Sequence, residues 1–467
     1  MATGTDSTTA AGYRVLNPAT GEVVERFDTA TDDQVRQALT AADQAFDSWR
    51  KKPMRERAAF VTRVAELFTE RADELARTIT EEMGKPHSQA TGEAEFCTDI
   101  FNYYADNGEE LAADKEIKTL SGGRAVIQRR PVGVLLGIMP WNYPYYQVAR
   151  FAAPNLVLGN TIILKHAESC PRSALAIQQI MDDAGVPEGV YTNLFASHEQ
   201  IATIIADPRV QGVSLTGSER AGAVIGQLAG KNLKKAVLEL GGSDPYVVLD
   251  ADDVKAAAAT AWATRMENTG QACNSNKRII VSERIHDEFV AELTELARGL
   301  RPGDAEEEGT YAPLSSRGAA EQLDEQVKDA VAKGATLHAG GALGDGPAAY
   351  YAPAVLTGIT PEMRAYTEEL FGPVAVVYPA SDDADALQIA NDTAFGLGGA
   401  VFSTDPERAR AVAERLDVGM ANVNTPAGEG AELPFGGVKR SGFGRELGPL
   451  GMDEFVNKRL LYIADEG

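Results

Sequence analysis

The stretch GQACNSNKR, Gly270–Arg278, sets Cys273 between a helix-like segment and the strand-like RIIV. A cysteine becomes a working nucleophile when a base, a lowered pKa or preorganised dipoles favour its thiolate. None of the five histidines, His87, His166, His198, His286 and His338, adjoins it in sequence. Two other residues have the right chemistry. Asn142, in WNYP, carries an amide that can donate to a developing oxyanion. Glu239 ends an apolar strand and is followed by Gly241 and Gly242 after a single leucine. Such a carboxyl is either paired structurally or, in a cleft, has the raised pKa that suits a general base. From these residues alone, Cys273 is either the nucleophile or a small side chain filling space at a helix end.

Two further stretches have the chemistry of a dinucleotide site. SLTGSERAG offers a strand, then Gly217, Ser218 and Gly222, then a helix whose first N–H groups are free for a phosphate. A capped helix with a packing glycine has the same pattern. LKHAES puts Lys165 and Glu168 beyond a strand end, where ligands of open α/β sheets bind. A carboxylate there accepts from ribose hydroxyls and repels a 2′-phosphate, and two solvated loop charges have the same pattern. No G-x-G-x-x-G stands at a strand-to-helix turn in this half of the chain.

These residues need a frame. Apolar residues recur at helical spacing from about Thr31 to Asp106. Then GGRAVIQRRPVGVLLGIMP reads as extended. Arg124 to Arg129 alternates like an exposed strand, and Val132 to Met139 is apolar throughout, like a strand buried on both faces. Strand and helix alternate from there to Glu239 and again after Cys273, which predicts parallel, doubly wound sheets. The expected class is α/β with two Rossmann-like domains joined near Leu240 to Ser243. The final strand-like FVNKRLLYIAD has no helix to cover it and invites pairing with Arg124–Arg129 or with another subunit.

Composition narrows the function classes. The 467 residues are 44% hydrophobic, enough for more than one core. A formal net charge of −24 makes nucleic acid and anionic membranes poor partners. No run approaches the ~20 apolar residues that cross a bilayer. The N-terminal stretch lacks the basic-then-apolar pattern of a signal peptide. Three cysteines, Cys97, Cys170 and Cys273, with no CxxC, fit a reducing compartment and a cytoplasmic protein.

Taken together, PWNYP, LKHAE, LTGSERAG, LELGGSDP, NTGQACNSNKR, EELFGPV and LPFGGVKRSGFGRELG resemble the NAD(P)-dependent aldehyde dehydrogenase superfamily, in the family's order and over nearly the whole chain. The resemblance implies that Cys273 attacks the aldehyde, that Asn142 and the Cys273 N–H hold the oxyanion, and that Glu239 activates the hydrolytic water. It implies a dinucleotide held by Trp141, Lys165, Glu168, Gly217, Ser218, Gly222, Leu240, Glu369 and Phe371, with no metal. It also implies a cofactor-binding domain over residues 1–121 and 139–239, and a catalytic domain over 240–425. An oligomerisation arm and C-terminal segment would take 122–138 and 426–467, in a homodimer or homotetramer. The cofactor expected is NAD, with NADP possible.

Among branches, the motifs look most like the succinate-semialdehyde dehydrogenases. Arg150 matches an arginine which that branch sets near the substrate carboxylate, a pairing a guanidinium makes bidentately. Glu267 stands where some members place a second arginine. Glu267, Glu429 and Glu432 at the expected entrance favour an aminoaldehyde or betaine aldehyde instead, with Tyr143, Tyr145 and Tyr146 either lining the pocket or filling core. Also open are a broad aliphatic aldehyde dehydrogenase, a CoA-acylating dehydrogenase and a non-catalytic relative.

Overall fold

The computed structural model describes residues 12–120, 122–304 and 306–465. The expected ranges beginning at residue 1, including residue 121 or ending at 467 extend outside the described residues. The apolar run Val134–Met139 is buried because it lies inside a six-stranded sheet. Its parallel partners are Thr161–His166 on one side and Val210–Thr216 on the other. Tyr191–Asn193 extends the first side, and Lys235–Glu239 extends the second. Strand order therefore reverses next to Val134–Met139, which opens a crevice at the carboxyl edge of the sheet. Asn142, Lys165, Gly217 and Glu239 all come from that edge, each at or just past the end of a strand.

Four helices precede this sheet, Asp32–Trp49, Met54–Glu70, Ala72–Met83 and His87–Leu111. The first starts with a reciprocal capping box between Thr31 and Gln34. A hairpin, Tyr13–Asn17 with Glu22–Phe27, stands before them.

The second sheet has seven strands in the order Thr336–Ala339, Ala354–Thr357, Val374–Ala380, Arg278–Ser282, Pro245–Val248, Gly398–Phe402 and Met420–Val423. All neighbours are parallel except the first pair. Its amino edge receives the loop that carries Cys273, which enters Arg278–Ser282 directly.

The C-terminal strand Val456–Ile463 pairs antiparallel with Arg124–Pro131, Tyr462 opposite Ala125, and Lys115–Ile117 covers the other edge of Arg124–Pro131. This answers the pairing question in favour of the chain's own segment. The expected arm range 122–138 spans two sheets. Arg124–Pro131 lies in this three-stranded sheet, whereas Val134–Met139 lies in the six-stranded one. The break is at Gly133, with φ +141°, a conformation side chains resist. Asn160 Oδ1 accepts from the N–H groups of Val132 and Gly133 at 2.8 and 3.1 Å and fixes the turn. Gly442–Phe443, inside the range 426–467, also joins the six-stranded sheet, antiparallel to Lys235–Glu239.

Candidate active site

The loop before Cys273 is strained. Asn268, Thr269 and Gly270 have φ of 47°, 53° and 75°. A left-handed β-branched threonine is a genuine outlier and persists only where the surroundings over-determine it. Here they do. Asn268 N–H donates to Gln89 Oε1 at 2.8 Å, and Asn268 Nδ2 donates to Asn142 O at 2.9 Å. Arg265, fully buried, uses all its donor nitrogens on this region. It donates to Val374 O at 2.8 Å, Gly270 O at 3.1 Å, Ser275 Oγ at 2.9 Å, Leu370 O at 2.7 Å and Gly372 O at 2.5 Å. A side chain on Gly270 would overlap Gly372 O, so glycine is required there.

Asn142 is buried and its Nδ2 donates to Gln271 O at 3.1 Å, against the same loop. The amide has two N–H donors, and the second has no acceptor among the described residues. Gly242 lets the turn after Glu239 pass against Cys273, since a Cβ at Gly242 would overlap Cys273 O. The nucleophile candidate, the amide and the strand ending in Glu239 thus converge. Burial pushes the Cys273 thiol up to about 11, while Arg150 and Lys277 pull it back and Glu369 and Asp244 push it further.

Glu239 is 1% exposed, and neither carboxyl oxygen has a hydrogen-bond partner among the described residues. Gly436, at φ +149°, approaches so closely that a Cβ there would lie 2.6 Å from Glu239 Oε1. Burial, and then repulsion from Glu446, hold the Glu239 carboxyl well above its ordinary range.

Arg150 is 1% exposed and lies between the rings of Tyr146 and Phe435, at 5.0 and 4.5 Å. Its Nε is ion-paired with Glu446, and its Nη2 donates to Thr216 Oγ1 at 3.1 Å. The guanidinium expected near the substrate carboxylate thus already has a carboxylate partner in Glu446. Neither Nε nor Nη1 has a hydrogen-bond partner among the described residues, and Nε has the ion pair with Glu446.

The dinucleotide residues fall into two groups. Gly217, Ser218, Gly222 and Leu240 form one. Gly217 N–H donates to Glu239 O at 3.0 Å. Ser218 caps the helix Glu219–Lys231, and a Cβ on Gly222 would lie 2.5 Å from Leu240 Cδ1. Lys165 and Glu168 are paired at 2.9 Å, with His198 at 3.5 Å from Glu168. In the other group, Glu369 Oε1 accepts from Gly242 N–H at 3.0 Å and is ion-paired with Lys277 Nζ at 3.1 Å. The Phe371 ring meets Trp141 edge to face at 5.7 Å.

At the entrance, Tyr143 OH donates to Glu267 Oε1 at 2.8 Å, and Lys85 Nζ sits 3.6 Å from the Tyr143 ring centroid. Burial, and then repulsion from Glu267, raise the Glu429 carboxyl. Tyr145 is core, donating to Leu75 O at 3.3 Å. Sequence reasoning missed Arg265, Lys277, Asp244 and Glu446. Asp244, Lys277 and Glu446 lie within quoted motifs, but nothing in their spacing marks them as buried.

The aldehyde dehydrogenase family model matches residues 5–461. The chain belongs to the aldehyde dehydrogenase family. This aldehyde dehydrogenase is 53% identical over 450 residues to a succinate-semialdehyde dehydrogenase (NADP+) of Deinococcus radiodurans, covering 96% of this chain and 94% of that one. It is 42% identical over 452 residues to the enzyme of the same name from Mycobacterium avium, covering 96% of each. Among solved structures, succinic semialdehyde dehydrogenase from Streptococcus pyogenes in complex with NADP+ matches with a TM-score of 0.94 at 42% identity, over 97% of this chain and 100% of that one. The enzyme is thus an oxidoreductase acting on aldehydes. Its carboxyl-edge crevice fits a nicotinamide dinucleotide. The N–H groups of Glu219 and Arg220 have no acceptor among the described residues, and Glu369 Oε2 is likewise unpaired. No helix among the described residues is long and apolar enough to cross a membrane.

Proposed function

We propose that this aldehyde dehydrogenase oxidises succinate semialdehyde to succinate with NADP+. The convergence of Cys273, Asn142 and Glu239 on one crevice carries the chemistry, and the names of the relatives support the substrate and cofactor. In this reading the Cys273 thiolate attacks the aldehyde carbon. The second Nδ2 N–H of Asn142 and the Cys273 N–H receive the alkoxide of the thiohemiacetal. A bound nicotinamide dinucleotide supplies the acceptor for the hydride leaving that carbon, and a thioester on Cys273 results. Glu239, once deprotonated, takes a proton from water, which attacks the thioester carbonyl; the carbon–sulfur bond breaks and the thiolate returns. Trp141, Phe371, Glu369, Lys165, Gly217, Ser218, Gly222 and Leu240 would hold the dinucleotide.

Arg150 Nη1 is the donor offered to the distal carboxylate. Glu267, which would repel it, has its carboxylate engaged by the Tyr143 hydroxyl. Glu168, expected to exclude a 2′-phosphate, is compensated by Lys165, which is consistent with NADP+ being accepted. A second reading, a cationic aminoaldehyde, rests on the approach of Glu267 and Glu429. Reduced-dinucleotide formation from succinate semialdehyde, betaine aldehyde and hexanal, each with NADP+ and with NAD+, separates these. The highest kcat/KM is expected for succinate semialdehyde with NADP+. A preference for betaine aldehyde establishes the second reading, and no product with any pair refutes both.

A further inference from the structure

Lys277 is 3% exposed, and its ammonium has three acceptors within the site. Nζ donates to Ala272 O at 2.6 Å and to Cys273 O at 2.8 Å, and it is ion-paired with Glu369 Oε1 at 3.1 Å. Two of its three N–H donors are thus spent on backbone carbonyls, and the charge is met by Glu369. Burying such a charge is unfavourable unless it is paired and hydrogen-bonded. Glu369 supplies one countercharge. Asp244, also buried, lies close enough for Lys277 to hold its carboxyl down against the effect of burial.

The two carbonyls flank the Cys273 Cα. Peptide bonds here are trans, so a C=O and the following N–H point in opposite directions. Fixing Ala272 O therefore aims the Cys273 N–H, and fixing Cys273 O orients the other side of the residue that carries Sγ. No acceptor for the Cys273 N–H is found among the described residues. The same ammonium grips the carboxylate that faces the dinucleotide crevice.

We propose that Lys277 is a positioning residue that sets the peptide planes on both sides of Cys273 and holds Glu369 in place, tying the nucleophile to the dinucleotide site. This rests on Cys273 being the nucleophile and Glu369 a dinucleotide ligand. A cation acting only on the thiol through its charge would leave the KM for NADP+ unchanged, so both readouts are needed.

The test uses the full-length enzyme with Lys277→Met and Lys277→Gln. Each is read by the pH dependence of Cys273 alkylation with iodoacetamide, mapped by mass spectrometry, and by the KM for NADP+. Gln keeps an N–H donor for a carbonyl but not the charge, so it decides the matter if Met fails to fold. Removing the charge raises the thiol pKa. Alkylation at neutral pH should slow by about threefold to tenfold, the lower thiolate fraction being partly offset by a stronger nucleophile. The KM for NADP+ should rise by about tenfold, and Lys277→Arg should recover most of the alkylation rate. A folded Lys277→Gln enzyme with the wild-type alkylation profile and KM overturns the proposal. Failure of the function proposed above shows separately, as wild-type enzyme that alkylates normally but oxidises no aldehyde.

Discussion

Burial works against the deprotonated form of both titrating groups at the centre of the site. The Cys273 thiol is held up at about 11, mainly by burial, and the Glu239 carboxyl is raised by burial and by Glu446. Both proposed roles need the deprotonated form, so both limbs of the reaction speed up as pH rises. Initial-rate kcat/KM should increase by up to about tenfold per unit from neutral pH toward the thiol pKa, where thiolate is limiting. A profile falling above neutral pH contradicts this. Asn142→Ala should lower kcat by about 10²–10³, the usual loss for one oxyanion donor, with the KM for NADP+ little changed. Glu168→Ser should raise kcat/KM with NADP+ relative to NAD+, since it removes the carboxylate that faces a 2′-phosphate. An unchanged ratio shows that Glu168 does not discriminate.

At the scale of elements, the site depends on a strained connection between the helix Val254–Met266 and the strand Arg278–Ser282. Arg265 ties that connection to the segment Leu370–Val374 by bonds to backbone carbonyls. Arg265→Met would leave several buried acceptors unpaired, a loss of about 3 kcal/mol or more. Urea unfolding should show a lower midpoint, and Cys273 should lose reactivity in parallel. An unchanged midpoint would mean the loop is held otherwise. The strand–helix alternation, the buried run Val134–Met139 and the glycines at 217, 222, 241 and 242 were legible because periodicity and turn chemistry are local. Arg265 was not legible, because a basic residue in the last turn of a helix looks like a solvated one. Its role comes from carbonyls about a hundred residues away. Arg150 was legible by position but not by partner, since Glu446 reaches it from the C-terminal segment.

For the whole molecule, two parallel sheets meet with the carboxyl edge of one against the amino edge of the other, and the chemistry lies between them. The C-terminal strand Val456–Ile463 runs outside this body with Leu460, Tyr462 and Ile463 about half exposed or more. One of its edges is paired and the other carries no partner among the described residues. Such an edge templates association. We infer that it contributes to a subunit contact. Light scattering should give a multiple of the 49.7 kDa chain mass, and Leu460→Glu with Ile463→Glu should reduce it. A monomeric wild-type enzyme refutes that assignment. The division of labour within the crevice is tested most directly by trapping. Glu239→Gln enzyme, mixed with succinate semialdehyde and NADP+ and quenched in acid, should release about one equivalent of NADPH in a burst, followed by turnover slowed by about 10²–10⁴. Intact-mass and peptide analysis should then find one succinyl group on Cys273. A burst with no acyl group there, or an acyl group on any other residue, contradicts the account.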